Sequence, residues 1–204
     1  MKRYLEPHIR DDLQQKIVII TGPRQVGKTT LAKALYPNVD YLNYDAEEDR
    51  LLLKAKQWDR QKTLIVFDEL HKKRDWKRWL KGVYDTEGIP PQLLVTGSAQ
   101  LDTYRKVGDS LAGRYFQFRL HPLDLWEATH HFKLDEQTAF EQLWRCGGYP
   151  EPFFKGNETF YRRWQRSHLD IILKQDLIDL YSVRDIKSIE TLITLLKNRV
   201  GASV

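Results

Sequence analysis

Residues 16–30, K-I-V-I-I-T-G-P-R-Q-V-G-K-T-T, constrain this chain more than any other stretch. Residues 17–20 are wholly apolar and β-branched, as in a strand buried on both faces of a parallel sheet. They lead directly into Gly22, Pro23, Arg24, Gln25, Val26, Gly27, Lys28 and Thr29, which match G-x-x-x-x-G-K-[ST] at every defined position. Thr30 opens a helical stretch that Pro37 and Asn38 stop. Glycines let several backbone N–H groups turn toward one anion, and the helix adds its positive end. The pattern therefore predicts a phosphate loop, with Gly22 to Thr30 around a nucleotide. Lys28 is expected at the β- and γ-phosphates, and the Thr29 hydroxyl on Mg²⁺.

The length of 204 residues suits one good core and a small second domain. With 41% hydrophobic and 30% charged residues the composition is that of a soluble protein. No apolar run approaches the ~18 residues of a membrane span, and Met1-Lys2-Arg3-Tyr4 lacks the apolar region of a signal peptide. The expectation is a cytoplasmic protein with no membrane partner. Cys146 is the single cysteine, which excludes an internal disulfide and a multi-cysteine zinc site. A net charge of +5 is only a modest pointer to polyanions, because a nucleotide site itself needs positive charge.

Further along, residues 1–15 suggest a helix, with Pro7 weakening it across Glu6. Residues 39–45 alternate as a second strand, and 46–58 look helical, with Leu51, Leu52, Leu53 and Ala55 available for one face. Residues 63–70, T-L-I-V-F-D-E-L, are a buried strand ending in two carboxylates some forty residues after the glycine loop. This is the Walker B arrangement: Asp68 near the metal, Glu69 to orient or deprotonate an attacking water. The plainer reading is that both acids cap the next helix.

Residues 71–84 interleave six Lys/Arg with two tryptophans. Such a segment can bind nucleic acid by phosphate contact and stacking. Helical spacing more simply turns Trp76, Leu80, Val83 and Tyr84 inward and leaves the bases in water. Residues 92–100 are another buried strand, ending near Thr96 and Ser98, both candidates for sensing a γ-phosphate at the carboxyl edge. A serine nucleophile is not supported, since G-x-S-x-G is not present there. Residues 115–120 alternate like a last strand. Five strands separated by helical stretches predict a parallel α/β domain ending near residue 130. Beyond it only helices are expected, over 136–145, closed by Gly147, and over 158–181 and 186–200.

Taken together, I-T-G-P-R-Q-V-G-K-T-T, V-D-Y-L-N-Y-D, I-V-F-D-E-L, V-T-G-S-A, S-L-A-G-R-Y-F, L-H-P-L and G-G-Y-P-E-P-F resemble a family of prokaryotic AAA+-superfamily ATPases, and the resemblance runs through essentially the whole length. It implies an α/β P-loop core with a five-stranded parallel sheet in the order 5-1-4-3-2, followed by a helical lid over residues 131–204. It further implies ATP and Mg²⁺ as ligands and a homo-oligomer or protein partner. By resemblance Ser98 is a sensor, Arg114 completes a nucleotide site, and Pro150, after Gly148 and Tyr149, contacts the base. Arg162 and Arg163 become lid sensors. The alternative for each arginine is an ordinary surface ion pair. Members of this family usually continue beyond G-A-S-V into a winged-helix-like region and a further domain, so this sequence reads as stopping short of that part.

Three functions fit these motifs. The first is an Mg²⁺-dependent ATPase whose cycle moves the lid. The second is a nucleotide switch that hydrolyses slowly and acts through a partner. The third is a DNA-associated motor lobe, since Asp68-Glu69-Leu70-His71 matches D-E-x-H, but the chain lacks room for a second motor lobe. ATP rather than GTP rests on the resemblance and on the lack of an N-K-x-D motif.

Overall fold

Apolar side chains alternate between two packed layers along the central strands of a wholly parallel sheet. The computed structural model describes residues 2–97, 111–172, 186–197 and 199. Its strands are β1 (Ile17–Thr21), β2 (Val39–Asn43), β3 (Leu64–Asp68), β4 (Gln92–Thr96) and β5 (Tyr115–Arg119). They stand in the order β2-β3-β4-β1-β5, the order the resemblance implies. Parallel neighbours need long crossovers. Helices α2 (Lys28–Ala34), α3 (Glu47–Ala55) and α4 (Trp76–Glu87) supply them, and α1 (Glu6–Leu13) precedes the sheet.

Ile17, Ile19, Ile65, Phe67, Leu93 and Val95 pack on one side with Leu53, Trp76, Leu80 and Val83 of α3 and α4. Val18, Ile20, Leu64, Val66 and Leu94 pack on the other with Ile9, Leu13 and Leu31 of α1 and α2. Helices cover both faces, so the strands read as continuous apolar runs. Each such side chain, fully buried, contributes about 1.5–3 kcal/mol.

Three local expectations meet the structure differently. Helix α1 begins at Glu6 with Pro7 in its first turn, where a missing N–H leaves no bond unmade. In α3 only Leu53 is buried, while Leu51 and Leu52 are 63% and 38% exposed. Three consecutive leucines span about 200° of a helix, too wide for one face. In α4, Trp76, Leu80 and Val83 are buried and Tyr84 packs against the same cluster, so its apolar stripe does face inward.

Register brings the strand ends to one edge. Asn43 pairs with Asp68, Asp68 with Thr96, Ile20 with Thr96, and Thr21 with Arg119. In open parallel sheets this carboxyl edge is where ligands bind.

Helices follow β5: α5 (Leu125–His130), α6 (Glu136–Cys146), α7 (Pro150–Lys155), α8 (Glu158–Ile171) and α9 (Ile186–Lys197). Asp124, Asp135 and Asn157 cap α5, α6 and α8 through side-chain bonds to backbone N–H groups, and Gly147 ends α6 at φ 67. The chain forms two compact units divided between Phe154 and Lys155. In the second, α8 buries Trp164 and His168, whose rings stack 4.5 Å apart. Among the described residues no helix is long and apolar enough to cross a membrane.

Candidate functional site

The chain turns sharply as it leaves β1. Gly22 adopts φ +144, and a Cβ on it would stand 2.3 Å from the Leu120 carbonyl oxygen, so only glycine fits there. Gly27 caps α2 in the left-handed region, at φ 98. Lys28 opens α2 and is buried, its Nζ donating to the carbonyls of Gly22 at 3.0 Å and Pro23 at 2.9 Å. The ammonium is thus folded into the curl of the loop, close to where a bound anion would meet it. Thr30 is exposed on the first turn of α2.

Thr29 faces β3, and its Oγ1 donates to Asp68 Oδ2 at 2.8 Å. Tyr41 Oη, from β2, donates to the same oxygen at 2.6 Å. Thr96 Oγ1, the register partner, donates to Oδ1 at 2.5 Å, and the Glu69 N–H does so at 3.0 Å. Burial by itself would raise the Asp68 carboxyl. The bonds from Thr96, Tyr41, Thr29 and the Glu69 backbone outweigh burial and hold it below its ordinary range. The Tyr41 phenol is pushed up, by burial first and then by its bond to Asp68.

Glu69 sits in the left-handed region at φ 55, which turns the chain into the short 3₁₀ turn Leu70–Lys72. Lys72 Nζ lies 3.4 Å from Glu69 Oε2 and also contacts Asp45 at 2.6 Å. Burial raises the Glu69 carboxyl, and the neighbouring Asp68 charge adds to this against Lys72, Lys28 and Arg24. A carboxylate with raised proton affinity is better suited to accept a proton from water. His71, buried beside the cationic Lys72, is pushed down to about 4, burial being the larger cause, and is neutral near pH 7.

The donor set suits a small hard dication: the Thr29 hydroxyl and the Asp68 and Glu69 carboxylates are all oxygen donors. Glu69 Oε2 is buried and accepts no well-aligned hydrogen bond among the described residues, the Lys72 ammonium standing 3.4 Å away. Among those residues no three His, Cys, Asp or Glu side chains converge on one point. A cation here would draw on ligands beyond the protein, as a phosphate-bound Mg²⁺ does.

Among the described residues, none of the other expected positions takes part in these bonds. Ser98 lies outside the described residues. Arg114 stands at the amino end of β5, about 16 Å along the five-residue strand from the carboxyl edge. Its Nε donates to Asp85 Oδ1 at 2.8 Å. Pro150 begins α7; just before it, Gly148 accepts the Leu123 N–H at 2.7 Å, and a Cβ on Gly148 would meet the Leu123 carbonyl at 2.2 Å. Arg162, paired with Glu158 at 2.6 Å, and Arg163 belong to α8 in the second unit.

Two residues here have no role assigned to them by the sequence. Tyr41 is one; the 39–45 alternation gives it a face, but only strand order sets it beside β3. Arg3 is the other, fully buried, with Nε on Glu127 Oε1 at 2.7 Å and Nη1 on the Val26 carbonyl at 3.1 Å.

A family model described as an AAA domain matches residues 14–129. An uncharacterized protein of Mycobacterium tuberculosis is 29% identical over 168 residues, covering 80% of this chain and 36% of that protein. An uncharacterized protein of Methanocaldococcus jannaschii is 24% identical over 211 residues, covering 91% of this chain and 47% of that protein. The chain thus spans less than half the length of these two relatives. Among solved structures, RuvB of Thermotoga maritima superposes with a TM-score of 0.50 at 15% identity, over 87% of this chain and 76% of that one. The Hsp104–ADP complex of S. cerevisiae does so with 0.54 at 10% identity, over 88% and 33%. At such identities the likeness is one of fold.

Proposed function

The chain belongs to the AAA-domain family of P-loop ATPases, and from that premise we propose that it binds ATP with Mg²⁺ and hydrolyses the β–γ phosphoanhydride. One observation carries this reading. The Thr29 hydroxyl and the Asp68 carboxylate, from two separate motifs, meet at 2.8 Å on the carboxyl edge, with Glu69 adjoining them. The N–H groups of the glycine loop receive the phosphates. Lys28 exchanges its bonds to Gly22 and Pro23 for bonds to the β- and γ-phosphate oxygens. Thr29 and Asp68 would hold the metal, which when bound would neutralise charge developing on the phosphate oxygens. Glu69 orients the attacking water and accepts its proton. Arg114, far from its own site, completes the site of a neighbouring copy, and the helices after β5 act as a lid that moves with the cycle.

The test is ATP and GTP turnover by the purified protein, with Mg²⁺ or EDTA and with or without DNA. Mg²⁺-dependent ATP turnover supports the reading; no nucleotide binding at all defeats it. A slow nucleotide switch is the second reading, favoured by Lys72, which lies between Glu69 and Asp45 and holds the proposed base in an ion pair. Tight binding with turnover far below 1 s⁻¹, on the order typical of unassisted switches, would favour that version.

A further inference from the structure

Tyr41 holds a place that neither the glycine loop nor the acidic motif accounts for. It lies on β2, the edge strand, opposite Val66 in register and thus two residues short of Asp68. From there its phenol reaches the carboxyl edge and donates to Asp68 Oδ2 at 2.6 Å, the oxygen that Thr29 also bonds. Lys33 Nζ of α2 sits 3.7 Å from its ring centroid, a cation–π contact. Tyr41 thus contacts both α2 and the end of β3.

The two oxygens of Asp68 are held differently. Oδ1 is fixed by Thr96 and the Glu69 N–H, donors that belong to the sheet edge itself. Oδ2 depends on Thr29 and Tyr41. Thr29 is the donor whose own oxygen is proposed to bind the cation, through a lone pair that leaves its O–H on Asp68. Tyr41 is then the donor to Oδ2 that is not itself a proposed metal ligand. Hydrogen bonds of this kind, one shell away from a metal, orient the ligand and raise metal affinity.

We propose that Tyr41 is a positioning residue for the Mg²⁺ site, orienting the Asp68 carboxylate toward the cation without touching the nucleotide. The proposal rests on the Mg²⁺–ATP reading of this site. It is tested with Tyr41→Phe in the full chain, which removes only the hydroxyl. Calorimetry with ADP in EDTA reads nucleotide affinity alone; the same titration over a Mg²⁺ series, and Mn²⁺ binding by electron paramagnetic resonance, read the cation. The expected result is an EDTA affinity within about twofold of wild type and a rise of about 10–100-fold in the half-saturating cation concentration. A general packing defect would weaken both. Lys33→Met, which keeps the phenol and removes the cation over its ring, is expected to raise the half-saturating concentration in the same direction by less. An unchanged cation requirement in Tyr41→Phe, or in Lys33→Met should the first variant not fold, overturns the assignment while leaving the ATP reading standing. If wild type binds no Mg²⁺–nucleotide, both are overturned.

Discussion

Arg3 and Glu127, 124 residues apart, form a 2.7 Å ion pair with no solvent exposure on either side chain. The same guanidinium donates to the Val26 carbonyl in the glycine loop and to the His121 carbonyl just after β5. One buried cation thus joins the start of the chain, the loop and the segment that leaves the sheet.

Removing one partner of such a pair strands the other in a dry interior. Arg3→Met is expected to lower stability by about 3–5 kcal/mol, whereas Arg3→Met with Glu127→Leu recovers a large part of it. Urea denaturation measures both. A double variant no more stable than the single one would show that Arg3 acts through the two carbonyls rather than through Glu127.

Lys28→Ala removes the ammonium held inside the loop. Loss of tight triphosphate binding is expected, with the fold intact by circular dichroism, since a charge-assisted bond to phosphate is lost. Unchanged ATP affinity in calorimetry would move the nucleotide site elsewhere.

Glu69→Gln keeps the shape of the side chain and loses the base. It should bind ATP with Mg²⁺ as wild type does and turn over about 10²–10⁴-fold more slowly. Asp68→Asn should instead raise the Mg²⁺ requirement. Equal turnover in Glu69→Gln and wild type would remove Glu69 from the chemistry.

His71 supplies a pH dependence. Its pKa falls from the ordinary 6.5 to about 4 in the fold, because burial and then the nearby Lys72 disfavour the imidazolium. Between these values the unfolded chain binds more protons than the folded one, so stability rises with pH. The contribution is fully present above about 6.5 and is lost as pH falls toward about 4, by an amount on the order of 3 kcal/mol. Urea midpoints at pH 7, 5.5 and 4.5 should decline in wild type and decline less in His71→Gln. Parallel declines would assign the acid sensitivity to other groups.

Arg114→Ala breaks an exposed ion pair with Asp85, so stability should change by less than about 1 kcal/mol. ATP binding is expected to survive and turnover to fall, by up to about 10³–10⁵-fold for an arginine acting on a neighbour's γ-phosphate. Mixing Arg114→Ala with Glu69→Gln should then restore part of the activity. Full activity in Arg114→Ala alone would leave this residue as a surface ion pair.

The sequence by itself determined the α/β class, the five strands and the glycine loop. Each of these is local. An apolar run sealed on both faces marks a buried strand, and the φ of +144 at Gly22 needs a residue that the motif spells out. Periodicity also set the inward face of α4, because one stripe at helical spacing has one way to be buried. It was less decisive in α3, where consecutive leucines left the buried one open until the sheet was in place to choose Leu53.

Thr29 beside Asp68 is expected from the motifs, but only the tertiary structure decided which side chains bond its carboxylate. Tyr41, Thr29 and Thr96 lie 27, 39 and 28 residues from it and come from β2, α2 and β4. They converge because strand order and register carry them to one edge, and neither is written in any single segment. Arg3 shows the same limit: no local pattern marks it as interior, and only the packing of Glu127 and Val26 around it makes it so. A motif reports the residues whose local backbone needs it, whereas a partner brought from another strand is known only once the strands are in place.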